Sequence, residues 1–217
     1  MAVSEATKRV LQLPPIYPIT DKTLARKKDH IGILKALVHG GARFVQIRDK
    51  TTPADEFLED LERCIEFAEK ENVTLIVNDR CDIVLSSGAA GVHLGRDDLA
   101  PESARSILGN NRIIGFSTHS LAQVREVSSL PIQYIGFGPV FETSTKESAS
   151  PVVGLQMLKK ACEESSLPVV AIGGIRLADV AGVLAAGAHS AAVISALMTA
   201  PDIAQRMNDF LTAARER

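Results

Sequence analysis

Between residue 16 and the C-terminal end, short apolar runs alternate with longer stretches of helical spacing. This alternation constrains the fold more than any other feature of the chain. The runs fall at 16–20, 44–48, 74–78, 91–94, 113–117, 134–138, 169–172 and 191–195. Most are continuously apolar, as parallel strands covered on both faces are. Helical patterns lie between and after them at 31–39, 55–71, 82–88, 101–108, 121–127, 155–164, 177–186 and 202–215. The clearest, 55–71, carries Phe57, Leu58, Leu61, Ile65 and Ala68 on one stripe and acids elsewhere, with Pro53 near its start. Three helix-to-strand junctions read alike: Gly40-Gly41-Ala42, Gly88-Ala89-Ala90 and Gly187-Ala188. A glycine there suits the left-handed residue that ends a helix.

Eight strands with helices between them predict an α/β fold, a single (β/α)8 TIM barrel. A doubly wound sheet stays open, because periodicity does not close a barrel. The length, 217 residues, suits one such barrel. No composition break marks a second domain. Residues 16–217 are expected to form the barrel and 1–15 an N-terminal extension, with a leading helix over 1–12.

Composition narrows the function. The net charge of −2 provides no electrostatic footprint for nucleic acid, so an anionic ligand needs a local basic cluster. Cys64, Cys81 and Cys162 have neither zinc-ligand spacing nor a disulfide framework. Cys64 and Cys162 lie in helical patterns and read as buried thiols. The segment MAVSEATKRVLQLPP is not a secretory signal, and no run of about 18 apolar residues occurs. A cytoplasmic enzyme of small molecules is expected, without membrane or nucleic-acid partners. A homo-oligomer is left open.

In a barrel, ligands bind at the C-terminal ends of the strands. Those positions are unusually polar here. Run two ends in Gln46-Ile47-Arg48-Asp49-Lys50, with Gln46, Arg48 and Lys50 on one side by alternation. Two cations there ask for a phosphate or diphosphate, or else for a rim ion pair with Asp49 or Asp79. Runs three and four end in Asn78-Asp79-Arg80 and His93-Leu94-Gly95-Arg96-Asp97-Asp98. Carboxylates beside a basic anion site suggest Mg²⁺ shared with a diphosphate. Asp97 and Asp98 also read as caps for the helix at Pro101. After run five, Ser117 or Thr118 can bond a ligand, Ser120 reads as a helix cap, and His119 as an acid, a base or a structural group. Run six leads into Thr143-Ser144-Thr145-Lys146, a second polar anion-binding loop. Gly173-Gly174 after run seven and Ser195 after run eight match the phosphate site common in these barrels. Two anionic substrates meeting at one mouth is the physical reading.

These segments, in this order and spacing, resemble thiamine phosphate synthases over roughly residues 16–200, in a superfamily shared with thiazole tautomerases. The resemblance implies a transferase of thiamine biosynthesis. It couples 4-amino-2-methyl-5-hydroxymethylpyrimidine diphosphate to 4-methyl-5-(2-phosphoethyl)thiazole and releases diphosphate. It further implies that Gln46, Ile47, Arg48, Asp49, Lys50, Asn78, Ser117 and Lys146 bind the pyrimidine diphosphate. Thr143, Ser144, Thr145, Gly174, Ile194 and Ser195 would bind the thiazole phosphate, and Asp79 and Asp98 would ligate Mg²⁺. Arg48, Lys50, Ser117 and Lys146 would be catalytic. The C–O bond is expected to ionise first, and the thiazole nitrogen attacks without needing a base.

Three departures from the family pattern stand out: Asp49 in place of glutamate, Glu147-Ser148 after Lys146, and Arg96 in place of glutamine. Two rivals remain. A thiazole tautomerase would rely on His119, and a non-catalytic thiazole-phosphate-binding barrel would show no Mg²⁺-dependent turnover.

Overall fold

The computed structural model of the chain describes residues 11–143 and 151–216. Eight parallel strands run β1 (Ile16–Pro18), β2 (Phe44–Ile47), β3 (Thr74–Asn78), β4 (Gly91–Leu94), β5 (Ile113–Thr118), β6 (Tyr134–Phe137), β7 (Val169–Ile172) and β8 (Ser190–Val193). Their order, β1-β8-β7-β6-β5-β4-β3-β2, places the first strand beside the last. The ring closes where Ile19 bridges Gln46 and the Thr20 N–H donates to the Gln46 carbonyl at 2.8 Å. The fold is therefore a (β/α)8 barrel, and the open doubly wound sheet is excluded.

Strand alternation sorts side chains into two cores. Tyr17, Ile19, Phe44, Ile76, Tyr134, Val170 and Ala192 pack inside the barrel. Ile16, Val45, Ile47, Val77, Val92 and their outward neighbours pack against the helices. Those helices are α1 (Lys22–Ala25), α2 (His30–His39), α3 (Ala54–Lys70), α4 (Cys81–Ser87), α5 (Pro101–Leu108), α6 (Leu121–Glu126), α7 (Gly154–Glu164), α8 (Val180–Ala185), α9 (Ser195–Met198) and α10 (Ile203–Arg215). The apolar stripe of α3 buries Phe57 and Leu61 almost completely, worth roughly 1.5–3 kcal/mol each by transfer. Gly41, Gly88 and Gly187 all take positive φ, as the repeated junctions require.

The differences from expectation sit at one-turn elements. Run eight stops at Val193, and Ser195 already begins the helical turn α9. The span 177–186 divides into a 3₁₀ turn, Leu177–Asp179, and α8. The turn α1 had no periodicity to reveal it, and Asp21 caps it through the Leu24 N–H at 3.0 Å. Cys162 is half-buried rather than buried. The leading helix expected over 1–12 falls mostly outside the described residues. Leu11, at its end, and Leu13 just beyond it pack against the interior cluster. Among the described residues, no helix is long and apolar enough to cross a membrane.

Candidate active site

The C-terminal strand ends enclose a cavity of about 250 Å³. Gln46, Arg48 and Lys50 from the end of β2 line it, as alternation predicts. Asn78 and Asp79 line it from β3, and Arg96, Asp97 and Asp98 from the loop after β4. Ser117 faces it from β5, His119 from just after that strand, and Thr143 after β6. Gly173, Gly174, Ile194 and Ser195 complete the far side. Ser144, Thr145 and Lys146 lie outside the described residues.

Two residues of run two do not join this wall. The Ile47 side chain points outward into the helix-facing core. Asp49 turns back instead of pairing with Arg48 or Lys50. Its carboxylate meets Lys22 Nζ at 2.8 Å and His30 Nε2 at 3.2 Å, and accepts the N–H groups of Thr51 and Thr52 at 3.0 Å each. Burial alone would raise this carboxyl's pKa. The bonds from His30 and Lys22, then those from Thr52 and Thr51, outweigh it and hold the group far below the usual carboxylate range. Neither side chain lines the cavity.

The two cations are held by other acids. Arg48 Nη1 donates to Asp21 Oδ2 at 2.6 Å, and Lys50 Nζ lies 3.3 Å from Asp79 Oδ2. The second is the rim pair that the sequence allowed. Asp21 was not anticipated, although it directly follows run one and so had to sit at the mouth. Pairing does not remove either cation from the cavity wall.

Asp79 adopts φ 64°, a left-handed conformation uncommon for a non-glycine residue and frequent at functional sites. Asp98 does not cap α5, whose N-cap, Ala100, makes no side-chain capping bond. Its Oδ2 instead accepts the Gly95 N–H at 2.7 Å. Burial is the largest cause pushing the Asp98 carboxyl upward, opposed by the Gly95 N–H and reinforced by Asp79 beside it. Two crowded carboxylates with one lysine between strand ends are a donor set that suits a hard divalent cation. Among the described residues, no group of three or more His, Cys, Asp or Glu could hold a metal ion. Two carboxylates are still enough for Mg²⁺, which commonly takes one or two together with substrate oxygens and waters.

The far side of the cavity is shaped by close backbone approach. The segment after β6 runs over the β7 loop: Val140 N–H donates to Ile172 O at 2.9 Å, and Phe141 N–H to Gly173 O at 3.0 Å. Gly174 has φ 65°, and a Cβ there would meet the Glu142 carbonyl and lie 2.9 Å from the Phe141 carbonyl carbon. Thr143 follows this contact and lines the same cavity as Ile194 and Ser195, where the first turn of α9 begins.

A profile of the family described as thiamine monophosphate synthase matches residues 16–197. The chain belongs to that family. It is 42% identical over 197 residues to the thiamine-phosphate synthase of Myxococcus xanthus (strain DK1622), covering 91% of this chain and 90% of that protein. It is 43% identical over 182 residues to the one from Persephonella marina (strain DSM 14350 / EX-H1), covering 84% and 87%. The solved thiamine phosphate pyrophosphorylase from Pyrococcus furiosus superposes with a TM-score of 0.84 at 34% identity, covering 93% of this chain and 95% of that one. A 3-hexulose-6-phosphate synthase, at 16% identity and a TM-score of 0.63, shares the fold alone.

As a member of the thiamine monophosphate synthase family, the chain is an enzyme of the transferase class. Of its three departures from the family pattern, Asp49 now has a physical account in its anchor to Lys22 and His30. Arg96 lines the cavity and approaches Glu126 at 3.9 Å. Glu147-Ser148 lies outside the described residues. The ambiguity after run five also resolves. Thr118 is fully buried and donates to Gly136 O at 2.9 Å, so Ser117 is the hydroxyl that lines the cavity. Ser120 caps α6 through the Gln123 N–H.

The sequence reading gave no role to Tyr17 and Tyr134, the chain's two tyrosines, or to His93 beyond its motif. Both tyrosine hydroxyls lie inside the barrel 3.0 Å apart. The available signal was faint: Tyr17 stands two residues before Ile19 in run one, and both phenols fall on inward positions.

Proposed function

We propose that this enzyme is a thiamine phosphate synthase. It joins 4-amino-2-methyl-5-hydroxymethylpyrimidine diphosphate to 4-methyl-5-(2-phosphoethyl)thiazole, giving thiamine phosphate and diphosphate. The observation that carries this reading is the pairing of opposites in one cavity. Arg48 and Lys50 stand beside Asp79 and Asp98 on one side, and a glycine- and hydroxyl-lined wall faces them. The first side suits a diphosphate shared with a cation, and the second a monophosphate. The family assignment supports the same substrates. Residues 16–217 act as one catalytic domain, working in the cytoplasm on soluble phosphorylated substrates.

Arg48, preset by Asp21, and Lys50 hold the leaving diphosphate and stabilise the charge that develops on it. By the family resemblance, Lys146 would share this role. Gln46, Asn78 and Ser117 orient the pyrimidine half, with Ile47 and Asp49 setting the end of β2 that presents Gln46. Thr143, Ser144, Thr145, Gly174, Ile194 and Ser195 hold the thiazole phosphate. Asp79 and Asp98 would hold Mg²⁺, which would supply positive charge to the leaving diphosphate. The attacking thiazole nitrogen carries no proton, so no side chain must act as a base. Holding both substrates in line supplies much of the rate.

One test is product formation from the two purified substrates, with and without Mg²⁺. Metal-dependent thiamine phosphate supports the synthase. Tautomer interconversion of the thiazole without coupling would move the assignment to a tautomerase. His119 then becomes the base, since it lines the cavity with Nδ1 2.6 Å from the Gly138 carbonyl, leaving Nε2 for a substrate. Binding of the thiazole phosphate with neither reaction would mark a non-catalytic barrel.

A further inference from the structure

A continuous chain of hydrogen bonds crosses the floor of the cavity. Gln46 Nε2 donates to Tyr17 Oη at 3.0 Å. Tyr17 Oη lies 3.0 Å from Tyr134 Oη, which lies 3.0 Å from His93 Nδ1. His93 Nε2 lies 3.0 Å from Ser117 Oγ. Five side chains from β1, β2, β4, β5 and β6 thus link one wall of the barrel to the other.

The floor is built to seat them. At Gly115 of β5 a Cβ would collide with the Tyr134 ring, and at Gly136 of β6 it would lie 3.2 Å from His93 Cε1. Tyr17 also meets Phe44 edge-on at 4.8 Å between ring centroids. Burial pushes both phenols above their ordinary range, so each keeps its proton.

Proton counting gives the chain a direction. Tyr17 Oη accepts from the Gln46 amide. Giving its own proton to Tyr134 Oη is the order that leaves neither buried phenol proton unpaired, since the reverse would strand that of Tyr17. The Tyr134 proton then goes to His93 Nδ1, which must carry a lone pair. A neutral His93 therefore bears its proton on Nε2 and gives it to Ser117 Oγ. The Ser117 proton is left to point into the cavity.

We infer that Tyr17 and Tyr134 are positioning residues that hold His93 as its Nε2–H tautomer and so make Ser117 a hydrogen-bond donor toward the substrate. Under the proposed function, Ser117 selects a lone-pair atom on the pyrimidine half and disfavours an N–H at that place. A donor facing a donor leaves both desolvated and unpaired.

The direct test is the long-range ¹H–¹⁵N spectrum of the ligand-free, full-length protein, with the His93 signals assigned by substitution. We expect unprotonated Nδ1 and protonated Nε2. The opposite tautomer, or a doubly protonated ring at neutral pH, overturns the inference. This readout needs no turnover, so it stands apart from the test of the synthase reading.

The second test is kinetic. Tyr134→Phe keeps the ring and removes the hydroxyl. It should shift the Nδ1 signal and lower kcat/KM for the pyrimidine diphosphate about tenfold, the scale of one orienting hydrogen bond. Ser117→Ala added to it should cost little more, because both act through one bond. An unchanged His93 signal in Tyr134→Phe, or losses that multiply in the double variant, overturns the inference.

Discussion

Lys50 Nζ on the loop after β2 lies 3.3 Å from Asp79 Oδ2 on the loop after β3. A cation proposed to grip the leaving group and a proposed metal ligand thus neutralise one another before substrate arrives. Asp79→Asn keeps the shape and removes the charge. It should lower kcat by about 10²–10³-fold, the scale of losing one major electrostatic contact, and demand more Mg²⁺. Initial rates against Mg²⁺ concentration check this; a wild-type Mg²⁺ response would remove Asp79 from the metal site.

Asp21 orients Arg48 through a 2.6 Å bond between partly buried groups. Asp21→Ala leaves the guanidinium in place but unguided. KM for the pyrimidine diphosphate should rise about tenfold, with KM for the thiazole phosphate little changed, as expected when a charge-assisted clamp loses its orientation. Equal rises in both would point to a general loosening of the barrel mouth.

Asp49 anchors the strand-two loop, and its carboxyl is held far below the usual range, chiefly by His30 and Lys22 working against burial. A depressed folded value means the stabilisation is present above about pH 5 and shrinks as pH falls through about 4 and below. Asp49→Asn should cost about 3 kcal/mol at pH 7, because it breaks a largely buried ion pair. That corresponds to roughly 6–12 °C in Tm for a chain of this size. Thermal melts of both proteins from pH 7 to pH 3 should show the gap narrowing on acidification; a constant gap would deny the carboxylate its anchoring role.

Gly174→Ala forces a side chain onto a left-handed backbone against the Glu142 carbonyl. The β6 and β7 loops should separate. KM for the thiazole phosphate should rise at least tenfold, more than for the pyrimidine diphosphate, since small misplacements of a binding loop are costly. Isothermal titration with each substrate separates the two effects.

The strands were legible because each is an apolar run of ordinary length, and β3, β4 and β7 fall where the runs predict. So was the inward set Gln46, Arg48 and Lys50, since strand alternation has a strict period of two. What could not be read was which acid meets which base. Asp49 was the neighbour in sequence, yet Arg48 pairs with Asp21, 27 residues earlier. The turns α1 and α9, each of four residues, were also invisible, because one turn holds too few residues to show a period.

The amino-acid order by itself determined the alternation of strand and helix, the polar ends of the strands and the kinship they carry, since these depend on local periodicity and residue type. Tertiary structure decided that the sheet closes between Ile19 and Gln46, and that Tyr17 meets Tyr134 across 117 residues. It also decided that Asp49 faces away from the cavity its neighbours line. Closure and register bring side chains from different strands within 3 Å, and neither is written in the spacing of any single strand.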